Sequence, residues 1–124
     1  MSHILLVEDD PDSVDIYETR FVRAGHTVRV AEDGHAALRL FQQEPPDAVV
    51  IDIMLPGKID GFSVLEHVMD EEAPPPCIVI TALAGDENRE RAEALGCAAF
   101  IEKPLSPRAL LAVVEEKLKR NGEG

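Results

Sequence analysis

Apolar residues fall in two kinds of pattern along this chain. Short continuous or alternating runs occur at His3–Val7, Thr27–Ala31, Asp47–Ile51, Cys77–Ile80 and Ala98–Ile101. Between them, apolar residues recur at helical spacing. The first, third and fourth runs are continuous, as expected for strands covered on both faces, whereas Thr-Val-Arg-Val-Ala at 27–31 alternates as an edge strand does. Each intervening segment has start and stop signals. Asp10-Pro11 places a cap before a helical proline, Val14, Tyr17, Phe21 and Ala24 form its inward stripe, and Gly25 stops it. Asp33-Gly34 opens a second helix with Ala37, Leu38 and Phe41 inward, and Pro45-Pro46 bounds it. Gly61 to about Met69 carries Phe62, Leu65, Val68 and Met69 on one face. Asp86–Leu95 is highly charged, with only Ala92, Leu95 and Ala94 to bury, so it should be the most weakly held helix. Ser106-Pro107 opens the last helix, with Leu110, Leu111, Val114 and Leu118 as its stripe and Asn121-Gly122 at its end. Strand and helix alternating five times predict an α/β fold: a doubly wound, (βα)5 parallel sheet with right-handed crossovers and helices on both faces.

In such a sheet, ligands bind outside the carboxyl ends of the strands. Ala48-Val49-Val50-Ile51 runs straight into Asp52 there. Taken singly, Asp52 reads more readily as a cap or turn residue than as a reactive or metal-binding carboxylate. The other strand ends separate these readings. The first strand runs into Glu8-Asp9-Asp10, the fourth into Thr81-Ala82 and the fifth into Glu102-Lys103-Pro104. Asp10 is occupied as a helix cap, but Glu8 and Asp9 have no such structural employment. Two carboxylates ~5 Å apart repel by about 3 kcal/mol at an effective dielectric of 20. A hard divalent cation removes that cost, and carboxylates with a carbonyl and waters suit Mg²⁺. Lys103 adds a point charge suited to phosphate, and Thr81 a hydroxyl donor. Together these groups describe phosphoryl transfer with Asp52 as nucleophile.

Composition narrows the classes further. The chain has 124 residues, 45% of them apolar, enough for one domain with a real core. Its net charge of −12, from 24 acidic and 12 basic residues, argues against direct nucleic-acid binding, which needs a basic footprint. No apolar run approaches the length of a membrane helix, and Met1-Ser2-His3 leads directly into a strand without a signal-peptide pattern. A cytoplasmic location with no membrane partner is the expectation. Cys77 and Cys97 read as unpaired, at least half-buried thiols, and His3, His26, His35 and His67 have no zinc-ligand spacing.

Ile4-Leu5-Leu6-Val7-Glu8-Asp9-Asp10-Pro11, Asp52-Ile53-Met54-Leu55-Pro56-Gly57, Asp60-Gly61-Phe62, Thr81-Ala82 and Gly96–Pro104 resemble the receiver domain of bacterial two-component response regulators over essentially the whole chain. That resemblance implies a flavodoxin-like sheet in the order 2-1-3-4-5 and a single receiver domain over 1–124, with 119–124 as a candidate linker start. It implies that Asp52 is the phosphoacceptor for a sensor histidine kinase or a histidine phosphotransfer protein. Asp9 would bind Mg²⁺ directly, Glu8 mostly through water, and Met54 through its backbone carbonyl, with Asp52 completing the metal set. Lys103 would pair with the phosphoryl group, beside a cis peptide to Pro104. Thr81 would move toward the phosphoryl oxygen, and Phe100 would then turn inward. The fourth helix, fifth strand and fifth helix would form the output face for a downstream protein or a fused output domain. The same face would also serve a phosphorylation-dependent homodimer. The domain would be a signalling module, catalysing only its own phosphorylation and dephosphorylation. One departure stands out: the segment from Asp52 to Gly61 is one residue longer than the family's usual loop, with the extra residue around Lys58-Ile59.

Three rivals make different demands. A Mg²⁺-dependent phosphohydrolase with an Asp nucleophile would want a second Asp where Met54 stands. A flavodoxin-like cofactor domain would want a Ser/Thr/Gly-rich loop where Glu8-Asp9-Asp10 stands. A degenerate receiver acting only as an interaction module would lack site residues that are all present here.

Overall fold

A computed structural model describes residues 2–83 and 85–122, with side chains through residue 119. Five strands, β1 (His3–Val7), β2 (Thr27–Ala31), β3 (Ala48–Asp52), β4 (Cys77–Thr81) and β5 (Ala99–Glu102), alternate with helices α1 (Pro11–Arg23), α2 (Gly34–Gln43), α3 (Gly61–Met69), α4 (Asp86–Ala94) and α5 (Pro107–Gly122). The strands are all parallel, in the order β2-β1-β3-β4-β5. This is the doubly wound (βα)5, flavodoxin-like architecture and strand order expected above.

Side-chain alternation divides the core in two. Leu5, Val7, Val49, Ile51, Cys77 and Val79 point to one face, where they pack with α2, α3 and Ala92 of α4. Ile4, Leu6, Ala48, Val50, Ile78 and Ile80 point to the other, against Tyr17 and Phe21 of α1 and Leu110 and Val114 of α5. The continuous apolar runs of β1, β3 and β4 are buried on both sides for this reason, and β2 forms an edge.

The helix starts follow their caps. Asp10, Asp33 and Asp60 each accept a backbone N–H three residues on, from Ser13 (3.1 Å), Ala36 (2.8 Å) and Ser63 (2.9 Å). Ser106 Oγ does the same for Ala109 at 3.2 Å. Several boundaries differ from the sequence expectation by a residue. Asp47 lies outside β3, its carboxylate accepting the His3 N–H at 2.7 Å. Asp52 and Thr81 are the last residues of their strands rather than loop residues. Ala24 is the exposed cap of α1 rather than part of its buried stripe, because the chain turns there into Gly25 at φ 95°. Val64 is buried in α3, where helical spacing alone favoured its neighbours, since α3 is covered on more than one side. Residues 119–122, named as a candidate linker start, continue α5, and Glu123 and Gly124 lie outside the described residues. Cys77 and Cys97 are free thiols. No helix among the described residues is long and apolar enough to cross a membrane.

Candidate functional site

Strand register brings the polar strand ends together. Val7 pairs with Ile51, so Glu8 and Asp52 follow at the same level on neighbouring strands. Asp52 pairs with Ile80, and Thr81 with Glu102, which places Thr81 and Lys103 one step further along the same edge.

Alternation then sorts these residues. Asp52 shares the side of Val50, facing α1 and α5, whereas Thr81 shares the side of Val79, and Phe100 packs with that same opposite core. A carboxylate–lysine cluster therefore forms on one side of the sheet edge. Lys103 Nζ donates to Glu8 Oε1 at 2.6 Å and to Asp52 Oδ2 at 2.8 Å. Asp52 Oδ1 accepts the Met54 N–H at 2.9 Å, and Glu8 Oε2 accepts the Asp10 N–H at 3.2 Å. Asp52 is 5% exposed and Glu8 fully buried. The exposed Asp9 completes a group in which Glu8, Asp9 and Asp52 each offer an oxygen within 4.8 Å of the others.

Burial pushes the Glu8 carboxyl above its ordinary value, against the pull of the Lys103 hydrogen bond. Burial acts to lower the Lys103 ammonium, but its bonds to Asp52 and Glu8 outweigh that, and its pKa is raised. Lys103 is thus a committed cation serving two carboxylates, while a third stands alongside. Three oxygen-only acidic ligands around one lysine leave uncompensated negative charge, and that donor set fits a hard cation such as Mg²⁺.

Thr81 is fully buried at the edge of the cluster, but its hydroxyl accepts the Leu83 N–H at 3.0 Å rather than bonding Asp52. Its place on the opposite side of the sheet explains this. Phe100 is 8% exposed and already lies inward while Thr81 still bonds Leu83, so its inward position does not wait on a movement of Thr81 as expected, and the Arg89 guanidinium stands 4.8 Å from its ring centroid. The Met54 side chain is 49% exposed, so only its backbone turns toward Asp52. The Lys103–Pro104 peptide is cis.

Two features escaped the sequence pattern. Arg89 and Arg91 of α4 lie over the rings of Phe100 and Phe62, a pairing that helical periodicity cannot register. Gly61 sits so close to the Asp52–Ile53 backbone that an added Cβ would overlap it; the only sequence signal was the Asp60-Gly61 pair at a helix start.

Comparison with known proteins accounts for nearly all of the chain. A family model described as the response regulator receiver domain matches residues 4–115. A probable transcriptional regulator ycf27 from Guillardia theta is 38% identical over 120 residues, covering 97% of this chain and 46% of that protein. The alkaline phosphatase synthesis transcriptional regulatory protein PhoP of Bacillus subtilis is 33% identical over 118 residues, covering 95% and 49%. The chain spans about half the length of the curated relatives it matches. A CheY-like response regulator receiver domain protein from Methanospirillum hungatei superposes with a TM-score of 0.93 at 28% identity, covering 99% of this chain and 98% of that one. The BeF3-activated N-terminal receiver domain of Klebsiella pneumoniae RstA gives 0.85 at 30% identity, covering 94% and 98%.

Proposed function

The chain belongs to the response regulator receiver domain family, and from that premise we propose that residues 1–124 form one receiver unit whose Asp52 accepts a phosphoryl group from a phosphohistidine of a sensor kinase or phosphotransfer protein. The observation that carries the reading is Lys103 Nζ bridging Glu8 and Asp52 at 2.6 and 2.8 Å, with Asp9 alongside.

In the proposed step, an Asp52 carboxylate oxygen attacks phosphorus. The N–P bond of the donor breaks, an O–P bond forms, and the donor imidazole keeps the electron pair. The Met54 N–H holds one carboxylate oxygen at 2.9 Å, which fixes the rotation of the group before attack. Lys103 already touches the other oxygen and, as a firmly protonated cation, balances charge that grows on the phosphoryl oxygens. Glu8 anchors Lys103 from behind. Glu8, Asp9, Asp52 and the Met54 carbonyl are the residues that would hold Mg²⁺, which when bound neutralises the crowded carboxylates and the transferred group. An exposed Met54 side chain supplies no general acid of the kind an Asp-nucleophile phosphohydrolase would need, which disfavours that alternative.

The switch follows from the two-sided layout. Thr81, whose hydroxyl accepts the Leu83 N–H, would turn to donate its O–H to a phosphoryl oxygen, and Phe100, behind it on the same side, would pass the change to a face made of α4, β5 and α5. Support comes from α4, which buries only Ala92. We assign the output to a downstream protein or a fused domain that reads this face, with a phosphorylation-dependent homodimer as one form of that readout, and place the reaction in the cytoplasm. Incubation with Mg²⁺ and acetyl phosphate should give one phosphoryl adduct by intact mass, absent in Asp52→Ala. Mg²⁺ alone should raise the melting temperature by relieving repulsion in the cluster. An unmodified wild type, or an adduct that survives in Asp52→Ala, would overturn the assignment.

A further inference from the structure

The segment between β3 and α3, where this chain carries its extra residue, is held at both ends by a glycine. At the near end, a Cβ on Gly61 would run into the Asp52 carbonyl oxygen and the Ile53 Cα, and the Gly61 N–H donates to the Ile53 carbonyl at 3.2 Å. At the far end, Gly34, the first residue of α2, lies against Ile59. A Cβ on Gly34 would overlap the carbonyl oxygen, Cβ and Cγ2 of Ile59. Ile59 is half-buried and packs on the α2–α3 core, whereas Pro56, Gly57 and Lys58 just before it are exposed.

Leu55, beside Met54, is also partly buried on this core, so the exposed stretch 56–58 is the part of the arch that draws its order from the seats on either side of it. Near its start is Met54, whose amide orients the Asp52 carboxylate. An arch one residue longer has more conformations to suppress, and Ile59 supplies the restraint where the extra residue falls. We propose that Ile59, seated on Gly34, is a positioning residue for phosphoryl transfer at Asp52. It fixes the far end of the loop whose near end orients the acceptor carboxylate. This rests on the phosphoacceptor reading of Asp52 and extends it to α2, which touches none of the reacting groups.

The test compares wild type with Ile59→Val, Ile59→Ala, Gly34→Ala and Leu38→Ala. Leu38 packs on the same core from α2 and controls for lost burial. Three quantities are measured: the Mg²⁺ dissociation constant by calorimetry, the rate of adduct formation with acetyl phosphate, and the melting temperature without Mg²⁺. Ile59→Ala should weaken Mg²⁺ binding and slow the adduct by roughly three- to tenfold, in keeping with the sensitivity of transfer to sub-ångström placement. Ile59→Val keeps Cβ and Cγ2, the side-chain atoms that meet Gly34, and should stay near wild type. Gly34→Ala should match or exceed Ile59→Ala, and if it does not fold, the Ile59 pair decides. Leu38→Ala should lower the melting temperature while leaving Mg²⁺ binding and rate unchanged. A wild type that forms the adduct, with Ile59→Ala equal to it or with Leu38→Ala losing as much, overturns the positioning role alone. A wild type with neither adduct nor Mg²⁺ response overturns the phosphoacceptor reading and this inference together.

Discussion

Helices α3 and α4 have nine residues each and pack on the same side of the sheet, but they are attached by different physics. Helix α3 starts from the Asp60 cap and buries Gly61, Phe62, Val64, Leu65 and Val68. Helix α4 starts at Gly85 with no side-chain cap bond and buries only Ala92. What it has instead is arginine. Arg91 lies 4.0 Å from the Phe62 ring centroid, and Arg89 lies 4.8 Å from that of Phe100 while donating to the Phe100 carbonyl at 3.4 Å. Apolar burial is non-directional and strong, so α3 has one seat, and its first residue sets the backbone at Asp52. Cation–π and partly exposed polar contacts are worth about 0.5–2 kcal/mol each and can re-form in more than one geometry. The helix beside the Asp52 carboxylate is fixed, and the helix on the proposed output face is loosely tethered.

The largest test of that contrast uses the two thiols. Cys77 lies in the core cluster shared with α3, and burial pushes its thiol up to about 12 from an ordinary 9. Cys97 lies in the turn between α4 and β5, is half-buried, and is raised by burial and by Glu93. At pH 8 Cys77 should carry roughly a thousandfold less thiolate than an unperturbed thiol, so a disulfide reagent should label Cys97 first by a wide margin. The fold favours the neutral Cys77 thiol. That contribution is therefore present below pH 9, where the unfolded thiol is neutral too, and is lost as pH rises from 9 toward 12. Equal labelling rates for the two cysteines at pH 8 would contradict the contrast.

Next in size is Leu65→Ala in α3, expected to cost about 3 kcal/mol in chemical denaturation, as for other fully buried leucines. A cost under about 1 kcal/mol would mean that α3 is no better seated than α4. The smallest effects belong to α4. Arg89→Ala and Arg91→Ala should each lower stability by about 1 kcal/mol or less. Both should nevertheless speed Cys97 labelling and amide exchange within α4 several-fold while leaving α3 amides unchanged. Slower exchange, or exchange that rises equally in α3, would remove the arginines as tethers.

Much of this was legible in the residues. The runs at 3–7, 27–31 and 77–80 marked strands because burial on one or both faces demands those patterns. Asp10, Asp33, Asp60 and Ser106 marked helix starts because four backbone N–H groups there need acceptors. The weakness of α4 showed in its lack of an apolar stripe. Glu8, Asp9, Asp52, Thr81 and Lys103 could be gathered at one sheet edge, since a parallel fold leaves its strand ends together.

Chain order could not say which of these groups touch. Contact depends on register and on which side of the sheet each side chain leaves, and both are settled only when the strands pair. Register put Glu8 level with Asp52 so that one lysine serves both, while alternation turned Thr81 to the other side. The arginines of α4 read as solvent-facing charge until α3 and β5 brought Phe62 and Phe100 beneath them. Ile59 had no visible role in the chain. Its seat is Gly34, about two dozen residues away in sequence, and only packing α2 against the loop brought the two together.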